Sequence, residues 1–165
     1  MDAPDPDAGT DPHTGTDPGS GDLDPAPSGR VLGLDLGDVR IGVAISDPER
    51  RLAVPLGTVL AGAPQDLRAI AALVQDNEVT QVVVGHPLSM SGGAGPKARQ
   101  VEELAGALRS FLTVPVALQD ERLSTVEAER NLRAAGFSGR ERRRAVDRSA
   151  AAVILQAWLD ANRHP

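Results

Sequence analysis

Apolar and polar residues alternate along this chain in segments of two clear periods, beginning after residue 29. Val31, Leu32 and Leu34 form a short apolar run that carries one acid, Asp35. A second run, Ile41 to Ile45, follows a tight turn containing Gly37 and Asp38. Two such runs joined by a Gly/Asp turn predict a β-hairpin. Leu52 to Leu60 predicts a third strand, and Pro55 inside it assigns that strand to a sheet edge. From Pro64 to Asn77 the apolar residues Leu67, Ile70, Ala71 and Val74 recur at helical spacing. Val79 to Val84 (VTQVVV) predicts a buried strand ending in Gly85-His86-Pro87. A helix to about Leu112 presents Val101, Leu104, Ala105 and Leu108 as its apolar stripe. Val114 to Gln119 predicts a fifth strand, which runs into Asp120-Glu121-Arg122. Ser124 with Glu127 and Ser138 with Glu141 are capping boxes. The first opens a helix through Ala135 that Gly136 stops, and the second opens a helix to about Ala161.

That order of elements predicts an α/β domain. Three antiparallel strands followed by parallel βα units give a mixed five-stranded sheet with helices on both faces.

Composition separates the first 29 residues from this domain. They hold seven Asp, six Pro, five Gly and no Lys or Arg. Such a segment cannot bury enough apolar surface to offset its chain entropy, so residues 1–29 read as a disordered acidic tail and 30–165 as one domain. The tail has no basic or apolar region of the kind a signal peptide needs. It also accounts for the charge: the whole chain carries −6, whereas residues 30–165 hold 17 basic and 16 acidic side chains. The domain is therefore near neutral, with Arg140, Arg142, Arg143, Arg144 and Arg148 clustered as a phosphate-facing patch or a solvated helix face. There is no cysteine, which excludes disulfides and thiolate metal sites. No apolar run reaches the roughly 20 residues of a membrane span, so a cytoplasmic location is expected. Aromatic residues are few, so nucleic acid would be held by backbone charge and shape rather than by a stacking platform.

Three acids on three different elements carry the candidate chemistry. Asp35 sits in the first strand, Asp120 and Glu121 end the fifth, and Asp147 shares a helical face with Ala151, Ile154 and Trp158. If the first strand is central, these positions converge. Clustered carboxylates repel one another unless cations neutralise them, and oxygen ligands without Cys or His suit Mg²⁺ or Mn²⁺. Two such ions would serve phosphodiester hydrolysis. The Gly-rich stretch LSMSGGAGPKAR precedes a helix. Gly92 and Gly93 could let backbone amides approach a phosphate there, with Lys97 and Arg99 beside the helix entrance.

Four segments, DLGDVRIGVAISD, VVVGHPLSMSGGAGP, DERLSTVEAE and VDRSAAAVILQAWLD, resemble in order the signature blocks of the YqgF/RuvX family. The resemblance covers about residues 30–161. It implies a ribonuclease-H-like fold and a divalent-metal nuclease similar to the Holliday junction resolvase RuvC. The role it implies is maturation of the 5′ end of pre-16S rRNA in ribosome biogenesis. Carried over block by block, the implied active-site acids are Asp35, Asp120 or Glu121, and Asp147. Glu121 is favoured as metal ligand over Asp120, because alternating side chains turn only one of the two toward the site. Arg40 and Arg122 match basic positions of their blocks, as phosphate contacts or as counter-charges to the carboxylates, and the Gly-rich loop with Gly92, Gly93, Lys97 and Arg99 is the implied substrate-facing segment. The partner is RNA, as pre-16S rRNA or a pre-ribosomal particle, or else branched DNA, whose two-strand cleavage would need a homodimer. This chain departs from the family pattern twice. Asp38-Val39 stands where a small polar residue and Lys are common, and His86 stands where Leu is common, as a catalytic base or a packing residue. An actin-like kinase would need two lobes, for which the folded length is too short. A non-catalytic nucleic-acid-binding factor on the same fold is the remaining alternative.

Overall fold

In a computed structural model of the chain, residues 27–89, 91–122 and 139–163 are described, the last stretch with side chains from Ala150 onward. The strands are β1 (Arg30–Leu36), β2 (Arg40–Ser46), β3 (Ala53–Leu60), β4 (Val79–His86) and β5 (Val116–Asp120). They form one sheet of order β3-β2-β1-β4-β5. β1 pairs antiparallel with β2 and parallel with β4; β2–β3 is antiparallel and β4–β5 parallel. This is the mixed sheet that the residue pattern predicts, with β3 at the edge and β1 in the middle. Pro55 lies within the edge strand, where a missing N–H interrupts no inner ladder.

Among the described residues three helices pack on the sheet. α1 (Gln65–Asp76) and α2 (Pro96–Phe111) pack on one face, over Leu32, Leu34, Val82 and Val84. α3 (Gly139–Ala161) packs on the other, where Ala151, Ala152, Leu155 and Leu159 meet Val31, Ala44 and Val83. The two faces alternate along β1, as the strand's pleat requires. Even-numbered Leu32 and Leu34 serve the larger core, while Val31, Gly33 and Asp35 turn toward α3. The close approach of α3 depends on Gly33, since a Cβ there would lie 2.7 Å from the Leu155 Cβ and 3.2 Å from the Ala151 carbonyl oxygen. The architecture is one mixed sheet with helices on both faces.

Strands three and five each start later than the pattern suggests, at Ala53 and Val116. Pro115 accepts a hydrogen bond from the Val82 amide instead of continuing β5 backwards. Chain contacts begin before β1: Arg50 donates to the carbonyls of Ser28 and Gly29, two residues counted in the acidic tail on composition. The rest of the tail and the helix expected over residues 124–135 lie outside the described residues.

Candidate functional site

The C-terminal ends of β1 and β5 bring two carboxylates to the α3 face of the sheet. Asp35 stands opposite Gly42 in the hairpin register, with Ala151 of α3 close by. Glu121, the residue after β5, lies over Gly85 of β4. A Cβ on Gly85 would come within 2.6 Å of both the Glu121 Oε1 and the Ile154 Cδ1, so only glycine leaves this space for the carboxylate. Both acids are half-buried, and burial pushes both above the ordinary carboxylate range. The negative charge of Asp35 raises Glu121 further. Burial and mutual repulsion therefore favour a cation at this spot.

One cation already leans on it. Lys97, in the first turn of α2, lowers both Asp35 and Glu121 electrostatically. Its Nζ lies 3.4 Å from the Asp38 Oδ1, in the β1–β2 turn. Val39 stands where the resemblance implies Lys, and α2 returns a positive charge to the same turn.

Asp120 has a different part. It sits opposite His86 in the β4–β5 register, on the α2 side. Arg122 donates to it from Nε, from Nη2 at 2.6 Å and from its own backbone amide at 3.0 Å. Those bonds hold the Asp120 carboxyl below its ordinary range. Arg122 also donates from Nη1 to the Ser89 carbonyl, tying the loop after β4 to the end of β5. His86 is engaged on the same side, with its Nε2 3.0 Å from the Glu102 Oε1 of α2.

The Gly-rich loop differs from the expectation. The Gly92 amide donates to the Ser89 carbonyl, and the Gly93 amide to the Ser89 Oγ. Leu88 and Ala94 bridge antiparallel across the loop. The two amides close a tight turn, in which Gly92 takes φ +86°, and are not presented to a phosphate. Arg40 and Arg99 are exposed, the first at the start of β2 and the second on α2. Asp147 lies in α3 one turn before Ala151, on the Asp35 side of it; its side chain, like those of the arginines from 140 to 148, lies outside the described residues. Among the described residues no three metal-ligating side chains gather at one point.

Residue periodicity did not single out Asp66, a buried acid in the first turn of α1. It accepts from the Gly62 and Leu67 amides and closes that helix end, a structural task its spacing does not distinguish from a ligand's.

Comparison with known proteins places the whole described domain. A family described as RuvX, Holliday junction resolvase, matches residues 29–161. A protein of Anaeromyxobacter dehalogenans strain 2CP-C named "Putative pre-16S rRNA nuclease" is 54% identical over 132 residues, 79% of this chain and 96% of its own length. A protein of the same name from Chloroflexus aggregans is 47% identical over 136 residues, 82% of this chain and 96% of its own. Among solved structures, Thermus thermophilus RuvC in complex with a Holliday junction substrate aligns at 16% identity and a TM-score of 0.49, covering 80% of this chain and 94% of that one.

Proposed function

Because the chain belongs to the RuvX family, we propose that it is a phosphodiester-hydrolysing nuclease that matures the 5′ end of pre-16S rRNA with the help of a divalent metal ion. The observation that carries this reading is the Asp35–Glu121 pair: two half-buried carboxylates on one face of the sheet, both raised by burial and one by the other. Carboxylates placed so are costly for structure alone.

The donor set fits a hard divalent cation, Mg²⁺ or Mn²⁺. Asp35 and Glu121 would hold it, and Asp147, on the adjoining stretch of α3, is the candidate third ligand. When bound, such an ion activates water and stabilises the leaving oxygen of a phosphodiester. The chain's own groups prepare the ground. Gly85 keeps room for the Glu121 carboxylate, and Ala151 and Ile154 wall the site on the α3 side. Lys97 stands within reach of a phosphate approaching the acids and can exchange Asp38 for it. The Asp120–Arg122 clamp fixes the strand end from which Glu121 projects.

Pre-16S rRNA processing would locate the protein in the cytoplasm, with a pre-ribosomal particle as its partner. Among the described residues no helix is long and apolar enough to cross a membrane. The family's description favours a second reading, cleavage of branched DNA, in which a homodimer would cut two strands. Cleavage of a 5′-extended 16S precursor and of a four-way DNA junction, side by side in Mn²⁺, separates the two. The expected result is cutting of the RNA by wild type and by neither Asp35→Asn nor Asp147→Asn. Tight binding without cutting of either substrate would leave a binding factor.

A further inference from the structure

A second feature lies at the opposite end of β1 and α3 from the acids. A cavity of about 370 Å³ is lined by Arg50, Arg51, Trp158, Asn162 and Arg163, with Glu49 at its edge. Its size falls in the range of small-ligand clefts. Its walls are fixed from both sides. Asp47 accepts from the amides of Glu49, Arg51 and Leu52 and so shapes the β2–β3 loop. Gln156 of α3 accepts from the Ala53 amide and donates to the Arg51 carbonyl, which Arg163 also approaches. Arg50 is spent on structure, donating to Ser28, Gly29 and Thr80 from a backbone with φ +59°.

The other two arginines are placed differently. Arg51 is 78% exposed and meets Glu49 through Nε; Arg163 is 57% exposed and meets Asp160. Exposed pairs of this kind contribute little and exchange readily for a better anion. A guanidinium matches a phosphate with two parallel donors. Trp158, a half-buried indole in a chain almost without aromatics, completes the wall. Guanidinium groups beside an aromatic face are the components that hold a nucleotide of a single strand.

We propose that this cavity is an exosite for the substrate strand, taking one base against Trp158 and its phosphates at Arg51 and Arg163. The inference rests on the nuclease reading and adds where the strand goes after it leaves the acids. β1 and α3 run antiparallel, and five residues of strand from Arg30 to Asp35 span roughly 17 Å. A strand stacked as in a duplex, rising about 3.4 Å per nucleotide, covers that distance in about five nucleotides, and a more extended strand in fewer. A dinucleotide is too short to reach both.

Trp158 is the single tryptophan of the chain, so intrinsic fluorescence reads the cavity directly. The full chain carrying Asp35→Asn would be titrated with a 12-nucleotide RNA, a 12-nucleotide DNA and an Asp-rich peptide. Saturable quenching by a nucleic-acid strand, with affinity reduced about tenfold or more by Arg51→Ala with Arg163→Ala, is the expected result. Gln156 holds the Arg51 carbonyl whatever the two guanidinium groups do, and the Arg163 contact that is lost is exposed and 3.4 Å long, so this variant keeps the fold. On the otherwise wild-type enzyme the same pair of changes should raise KM for the 12-mer with kcat unchanged and leave a dinucleotide substrate unaffected. Strand binding seen by anisotropy with no change in fluorescence overturns the proposal. So does quenching that the arginine changes leave intact, or equal quenching by the peptide. The two readings fail separately. Quenching without any cleavage by wild type would remove the nuclease and leave the site, while cleavage without quenching would do the reverse.

Discussion

Asp120 and Glu121 are adjacent in the chain, yet they serve opposite faces of the sheet. Asp120 pairs in register with His86 and is clamped by Arg122, whereas Glu121 lies over Gly85 and feels the charge of Asp35. The two isosteric substitutions should therefore part company. Glu121→Gln removes a candidate ligand and should lower metal-dependent cleavage by about 100-fold or more with the fold intact. Asp120→Asn weakens an ion pair and should cost about 1 kcal/mol in urea unfolding, with a smaller loss of cleavage.

Gly85→Ala tests the space kept for Glu121. The added methyl meets both the Glu121 carboxylate and the Ile154 side chain at 2.6 Å. Overpacking of this kind should destabilise by about 1–3 kcal/mol. Because Glu121 can swing away more easily than Ile154, metal affinity should fall further than the thermal midpoint suggests. Parallel calorimetry of unfolding and of Mn²⁺ binding would show it.

Metal should stabilise the native state by mass action. At a free Mn²⁺ concentration 100 times its Kd, the gain is about 2.7 kcal/mol. The site relieves the mutual repulsion of Asp35 and Glu121, so Asp35→Asn should abolish the shift. A thermal scan with and without metal reads this without any substrate. An equal shift in both proteins would rule out Asp35 as a ligand.

Lys97 and Asp38 form an exposed pair, and breaking it should change stability by no more than about 0.5 kcal/mol. The effect should appear with nucleic acid instead. Lys97→Ala should weaken substrate binding and reduce the salt slope by about one phosphate contact. Asp38→Asn should leave binding as tight or tighter, since Lys97 no longer has to be drawn from a carboxylate.

Asp47 gives the fold a pH dependence away from the acids. Amides of the β2–β3 loop hold its carboxyl below the ordinary value. A depressed pKa means that protonation favours the unfolded chain. Its stabilisation is full above an ordinary Asp pKa, about 4, and is lost as pH falls through the lower folded value. The gap in thermal midpoint between wild type and Asp47→Asn should be open at pH 7 and close on acidification. A gap that widened in acid would reverse the sign.

Much of the fold was legible because each segment advertised its own period. The run VLGLDL had to be a strand, Pro55 marked β3 as an edge, and Val101, Leu104, Ala105 and Leu108 fixed the buried side of α2. The site was legible in part. An acid inside β1 and acids at the end of β5 stood out because charge is costly in such runs. The Gly-rich loop misled, since glycine frees an amide without saying what the amide will bond. Here Ser89 supplies both acceptors. The Arg51–Arg163–Trp158 cavity left no trace, because its residues come from β2–β3 and from the far end of α3.

The sequence by itself determined the order of elements, the mixed sheet and the family, since these follow from local period and from blocks of adjacent residues. Tertiary structure decided which charge meets which. It set Glu121 rather than Asp120 beside Asp35 and brought Lys97 from α2 to the β1–β2 turn. Local pattern states how far a residue lies from its neighbours along one element. Electrostatic interaction depends on distance between elements, which the packing of the sheet and its helices alone fixes.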